Sequence, residues 1–153
     1  MDPTPTDGRF DDLLLEALDA AVAEGASYAD VRGVTSHSES ITVRGPVAET
    51  IERGESSGLG VRVLAEGAWG YAASASMEDR SEAAAVARVA VEIARASATA
   101  RTTPVGLVPE PAHVAEWATA VGRDPFGVPI EEDRGSGRRT PWLPFRRTRT
   151  PKL

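Results

Sequence analysis

The chain has no cysteine. That excludes a disulfide framework, a thiolate nucleophile and a cysteine-ligated zinc site. Lysine occurs once, at Lys152, and histidine twice, at His37 and His113. A zinc-protease helix needs two histidines one turn apart with a glutamate beside them. His37 instead stands among serines, and His113 opens His-Val-Ala-Glu in a proline-rich stretch. Both read as surface or connector residues, not as metal ligands. No apolar run reaches about 18 residues, so no segment reads as a membrane span. The start, MDPTPTDGRFDD, is acidic and polar. A signal peptide needs a positive start and an apolar core, so a cytoplasmic protein is expected.

Catalytic patterns are equally scarce. The serine clusters SHSES, ESS and SAS contain no G-x-S-x-G elbow and read as strand ends and caps. Gly58 and Gly60 lack the third glycine, the lysine and the following helix of a phosphate loop, and point to tight strand packing. Asp11-Asp12 and Glu131-Glu132 are adjacent carboxylates with the character of solvated faces. No catalytic, cofactor-binding or metal-ligating residue is assigned.

What is present is an ordinary globular composition, 41% hydrophobic and 26% charged. The net charge of -6 averages two unlike parts. Residues 1–133 carry ten arginines against all 23 carboxylates, a balance of minus thirteen. The last twenty, RGSGRRTPWLPFRRTRTPKL, carry seven basic side chains and no carboxylate. An acidic body repels phosphates, which argues against general nucleic-acid binding.

Helix, strands, helix and connector follow in order. Asp7 or Asp11 can cap a helix to about Glu24, with Phe10, Leu14, Leu18, Ala21 and Val22 as its apolar stripe and Gly25 as its stop. Ala29 and Val31 alternate with Asp30 and Arg32, and Ile41 and Val43 with Thr42 and Arg44, as in two strands. Gly45-Pro46 turns the chain into a weaker strand, VAETIERGE. LGVRVLAEGAWGYAAS reads as a hairpin turning at Glu66-Gly67. Ser76 to Asp79 resembles a capping box for a second helix, about Met77 to Ala98. Its predicted stripe is Val86, Val89, Ile93 and Ala96, with Arg88 and Glu92 paired on the wet side. Its many alanines predict close packing on a sheet.

Prolines 104, 109, 111, 125 and 129 make the next stretch a connector. The expected fold class is therefore α+β: an antiparallel meander sheet packed by two helices, then a Pro-rich connector and a disordered tail. The expected boundaries are 1–8 (flexible leader), 9–102 (α+β domain), 103–133 (connector) and 134–153 (basic tail).

Trp69 and Tyr71 share one face of the hairpin's return strand. Same-face aromatics commonly pack on a helix. The functional reading is an interface anchor or a contact for a peptide at the sheet edge.

A-D-V-R (Ala29 to Arg32), S-E-S-I-T-V-R (Ser38 to Arg44), G-L-G-V-R-V (Gly58 to Val63) and G-A-W-G-Y-A (Gly67 to Ala72) follow one another in order. Together this block resembles the N-terminal region of the TldD/PmbA family, once called modulators of DNA gyrase. Glu110 to Val114 and Asp124 to Glu132 resemble the family's connector. The resemblance covers about residues 10 to 132. It implies a zinc metallopeptidase system of homo- or heterodimers around a chamber, cutting unstructured peptides. The family's zinc ligands lie on a C-terminal His-Glu-x-x-x-His helix that matches no position here. The resemblance thus implies a non-catalytic domain, with zinc and peptide substrates belonging to the full-length form and a family subunit as partner.

After Glu132 the text departs from the family. Its Arg/Pro/Thr/Gly content is what a GC-rich gene yields when read out of frame, so a frameshift or truncation is expected there. Two alternatives stand beside this reading. One is a stand-alone dimerisation or regulatory module that binds a full-length subunit. The other is a nucleic-acid adaptor using the tail, with Trp142 and Phe145 between arginines.

Overall fold

The computed structural model describes residues 8–45, 47–75, 79–109, 111, 115 and 117–128. Their order is α1 (Gly8–Ala23), β1 (Tyr28–Arg44), β2 (Val47–Ala65), β3 (Ala68–Ser74), α2 (Arg80–Ala98) and a 3-10 turn at Pro125–Gly127. The sheet order is β1-β2-β3. The α+β class read from the sequence holds, with two helices on an antiparallel sheet. The basic tail, His113 and Glu131-Glu132 lie outside the described residues.

Two compact units divide the chain. Among the described residues, the first takes 8–34, 57–75, 79–109, 111 and 115, and holds both helices, β3 and the inner parts of β1 and β2. Its core joins Leu13, Leu14, Ala17, Leu18 and Ala21 of α1 to Ala29, Val31, Leu59, Val61 and Val63 of the sheet. Ala83, Val86, Ala87, Ala90, Val91 and Ala94 of α2 complete it. Val31, Val61, Val63 and Val91 are the largest fully buried side chains. Each contributes about 1.5–3 kcal/mol relative to exposure.

The β2–β3 hairpin follows the expected register. Ala65 pairs with Ala68 and Leu59 with Ser74, so Glu66 and Gly67 form a two-residue loop. Both have positive φ, 50 and 71, the backbone that matches the twist of the flanking strands.

α2 sits close against β3 because small residues line both sides. A Cβ on Gly70 would lie 2.6 Å from the Ala94 backbone nitrogen and would collide with the Ala90 carbonyl. This close approach decides which face of α2 is buried. The alanine stripe at 83, 87, 90 and 94 turns inward, and Val89 and Ile93 point out at 46% and 41% exposure. The expected stripe through Val89, Ile93 and Ala96 is therefore wrong; of it only Val86 is buried. On α1, likewise, Leu13 and Ala17 are in the core and Val22 is not.

Other local expectations also change. α2 runs over Arg80–Ala98, and Met77, where the sequence suggested its start, lies outside the described residues. Its cap is Asp79, whose carboxylate accepts from the Glu82 N–H at 2.9 Å and the Ser81 hydroxyl at 2.6 Å. The capping pattern is thus shifted by three residues, to Asp79-x-x-Glu82. Arg88 faces Glu24, just past the end of α1, at 3.6 Å, in place of the expected Arg88–Glu92 pair.

Among the described residues, the second unit takes 35–45, 47–56 and 117–128. Here β1 and β2 run on as a ribbon, where the sequence suggested separate short strands. Ion pairs Arg53–Glu39 and Arg44–Glu49, and a Ser38 hydroxyl donating to the Gly54 carbonyl, join the two strands. Val43 and Ile51 are exposed here, and the polar and charged residues around them hide the continuity of the two strands from the sequence. At Pro125–Gly127 the Asp124 carboxylate accepts from the Phe126 N–H at 3.0 Å.

Candidate functional site on the open face of the sheet

Strand alternation sends Ala29, Val31, Val61, Val63 and Gly70 toward the helices. The residues between them face the other way. Tyr28, Asp30 and Arg32 of β1, Arg62 of β2 and Trp69 and Tyr71 of β3 thereby share a face that carries no helix.

Asp30 is the centre of this face. Its side chain is only 3% exposed, although no element covers it. Burial comes from its own partners. Arg62 donates from Nε at 2.7 Å and from its terminal nitrogen to Oδ2, and Arg32 donates from Nε to Oδ1 at 3.1 Å. The Tyr28 hydroxyl lies 3.4 Å from Oδ2. The hydrogen bond to Asp30 holds the Arg62 pKa above its ordinary value, against the opposing effect of burial. The Arg62 guanidinium also lies 5.0 Å from the centre of the Trp69 ring, and Tyr28 meets that ring edge-on at 5.9 Å. The guanidinium is thus held between a carboxylate and a ring face, both of which favour a cation.

Trp69 and Tyr71 do share a face, as the sequence suggested, but they do not pack on a helix. Gly70 between them takes the helix side. Trp69 is half-buried under Arg62 and Tyr28, and Tyr71 is 60% exposed. Tyr71 is opposite Arg62 in the β2–β3 register. Its ring lies over Gly60, where a Cβ would come within 2.8 Å of the phenol oxygen. Asp30, Arg32, Gly58, Gly60, Arg62 and Tyr71 line an open concavity of about 500 Å³.

Among the described residues no cluster of three or more His, Cys, Asp or Glu could hold a metal ion. His37 lies exposed in the second unit. The described residues do not fit the zinc site that the family implies. No helix among the described residues is long and apolar enough to cross a membrane. The sequence reading missed the Asp30 cluster. Its trace was there, in Asp30 and Arg32 at alternate positions of β1 and Arg62 on the wet side of β2.

A small α+β domain, with helices on one sheet face and an ion-pair and aromatic cluster on the other, is the class these features define. Residues 29–94 match the family model described as PmbA/TldA metallopeptidase domain 1. Over that stretch the chain resembles the first domain of the PmbA/TldD metallopeptidases. TldE from Thermococcus kodakarensis is similar in fold, with 12% identity, a TM-score of 0.51, and 71% of this chain and 23% of that one covered. A candidate modulator of a DNA gyrase from Thermotoga maritima is similar too, with 13% identity, a TM-score of 0.52, and coverage of 74% and 24%. The chain matches about a quarter of the length of these structures. None of the curated proteins compared matches it.

Proposed function

We propose that this chain acts as the non-catalytic first domain of a TldD/PmbA-type zinc metallopeptidase and works by association with a family subunit. The family's role is proteolysis of unstructured peptides. One observation carries the reading: the match over residues 29–94 is to domain 1 alone. The zinc-bearing pattern His-Glu-x-x-x-His occurs nowhere in the 153 residues. In this reading the chain by itself hydrolyses nothing.

The helix surfaces support an association role. Leu15 and Val22 lie two turns apart on α1, and Val89 and Ile93 one turn apart on α2; all four are 41–48% exposed. Apolar stripes of this kind mark surfaces that another protein surface covers. Trp69 and Tyr71 offer a second contact, beside the edge strand β3, for a partner subunit or an extended peptide.

The test is co-expression with a complete family subunit, followed by light scattering on the purified mixture. A complex of defined stoichiometry supports the reading. A chain that stays monomeric beside every family subunit tried sinks it. Stoichiometric zinc together with cleavage of an unfolded peptide by the chain alone would overturn the non-catalytic part.

A further inference from the structure

The open face has an excess of guanidinium groups that the fold does not use. Arg32 and Arg62 share one carboxylate, Asp30, which leaves the cluster with a net positive charge. This stands on a body whose balance is minus thirteen. Arg32 engages Asp30 through Nε, and its side chain remains 56% exposed. Arg62 uses Nε and one terminal nitrogen, and is 45% exposed. A guanidinium has five N–H donors in a planar fork suited to a carboxylate. Asp30 fixes the Nε edges of both arginines and leaves outer N–H groups toward the concavity.

The walls suit an extended chain. Gly58 and Gly60 leave the floor without side chains, and the Tyr71 ring lies flat across Gly60. Tyr71 adds a hydroxyl at the rim, 60% exposed. A backbone can approach a glycine floor closely, and a tyrosine ring supplies contact area beside it.

We propose that this concavity is a binding site for the carboxylate side chain of an acidic, extended peptide, held by the free guanidinium edges of Arg32 and Arg62 beside Tyr71. Charge complementarity is local: the cationic notch attracts a single carboxylate, while the acidic body around it opposes ligands that carry many negative charges. Asp30 is a positioning residue here. It does not touch the ligand, and it sets the angle of both forks.

The inference rests on the family reading only in taking the ligand to be a peptide. A chain that binds no family subunit yet binds the peptide separates the two.

The experiment titrates the folded chain with the blocked peptide acetyl-Gly-Glu-Gly-Glu-Gly-amide, following arginine Nε–H and tyrosine ring NMR signals. Its glutamine counterpart and inorganic phosphate serve as parallel probes. Saturable shifts at Arg32, Arg62 and Tyr71 are expected with the glutamate peptide, weakening with added salt. Arg32→Gln should weaken binding roughly tenfold by removing a charge-assisted contact, with the fold kept, as the unchanged dispersion of the remaining amide signals checks. Tyr71→Phe should keep the fold and weaken binding less. Equal shifts with the glutamine peptide, full affinity in Arg32→Gln, or a response to phosphate alone would each overturn the proposal.

Discussion

Gly70 of β3 lies directly under Ala90 of α2, with no room for a Cβ between strand and helix. The nearest unavoidable atoms are backbone, the Ala90 carbonyl and the Ala94 nitrogen, so no side chain can move aside. Gly70→Ala forces α2 off the sheet. A loss of about 3 kcal/mol or more is expected, at the upper end for overpacked sites. Urea unfolding followed by circular dichroism measures it, and a midpoint equal to that of the parent chain would refute the packing described.

Asp30 and Arg62 form the second test. Arg62→Met leaves a nearly buried carboxylate with only Arg32 and Tyr28. Breaking a fully buried pair costs about 3–5 kcal/mol. Arg62 is 45% exposed, and water can reach the site. The expected loss is therefore roughly 1–2 kcal/mol after screening. The double variant Asp30→Asn with Arg62→Met should recover part of it, since no nearly buried carboxylate remains and Arg32, at 56% exposure, is solvated. A double variant less stable than Arg62→Met alone would contradict the ion-pair account. Trp69 emission should also change in Arg62→Met, because the cation above its ring is gone.

Asp79 makes the α2 cap sensitive to pH. The Ser81 hydroxyl, and after it the Glu82 N–H, hold the Asp79 pKa below its ordinary value of 3.8. A carboxylate with a depressed folded-state pKa stabilises the fold above its unfolded pKa, and that contribution is lost as pH falls through the folded value. Asp79→Ala should lower the unfolding midpoint at neutral pH, and the gap from the parent chain should close below pH 3.8. A gap independent of pH would show that the carboxylate does not cap α2.

Glu66 occupies a left-handed conformation, φ 50, in the β2–β3 loop. It faces Arg95 at 3.9 Å on the surface, an ion pair that contributes little. Asparagine tolerates this backbone better. Glu66→Asn should stabilise the chain by roughly 0.5 kcal/mol, read as a higher thermal midpoint. A lower midpoint would mean that the Arg95 contact outweighs the strain.

The elements most legible in the sequence are those with local causes. The β2–β3 hairpin was readable because alternation and a two-residue Glu-Gly loop set its register without help from the rest of the chain. The existence of α1 and α2 was readable from their spacing, and the close approach of α2 from its alanines. The strands around residues 41–44 and 47–55 were readable too, but not their continuity with the inner parts of β1 and β2, since the polar and charged residues between interrupt the alternation. The Asp30 cluster was half visible. Its residues were assigned to the wet side of their strands, and that is where they stand.

By itself, the sequence determined the element types, the order of the elements, the lack of a cysteine or zinc-helix pattern, and the family block. Those depend on residue identity and short-range spacing, which the chain carries wherever it folds. Only the tertiary structure decided which face of α2 is buried, because the choice between its alanine side and Val89 and Ile93 depends on how closely Gly70 lets the strand approach. Only the tertiary structure buried Asp30, since its partner Arg62 is supplied by the next strand, 32 residues away. Long-range partners set the electrostatics of the open face, and no local pattern can encode them.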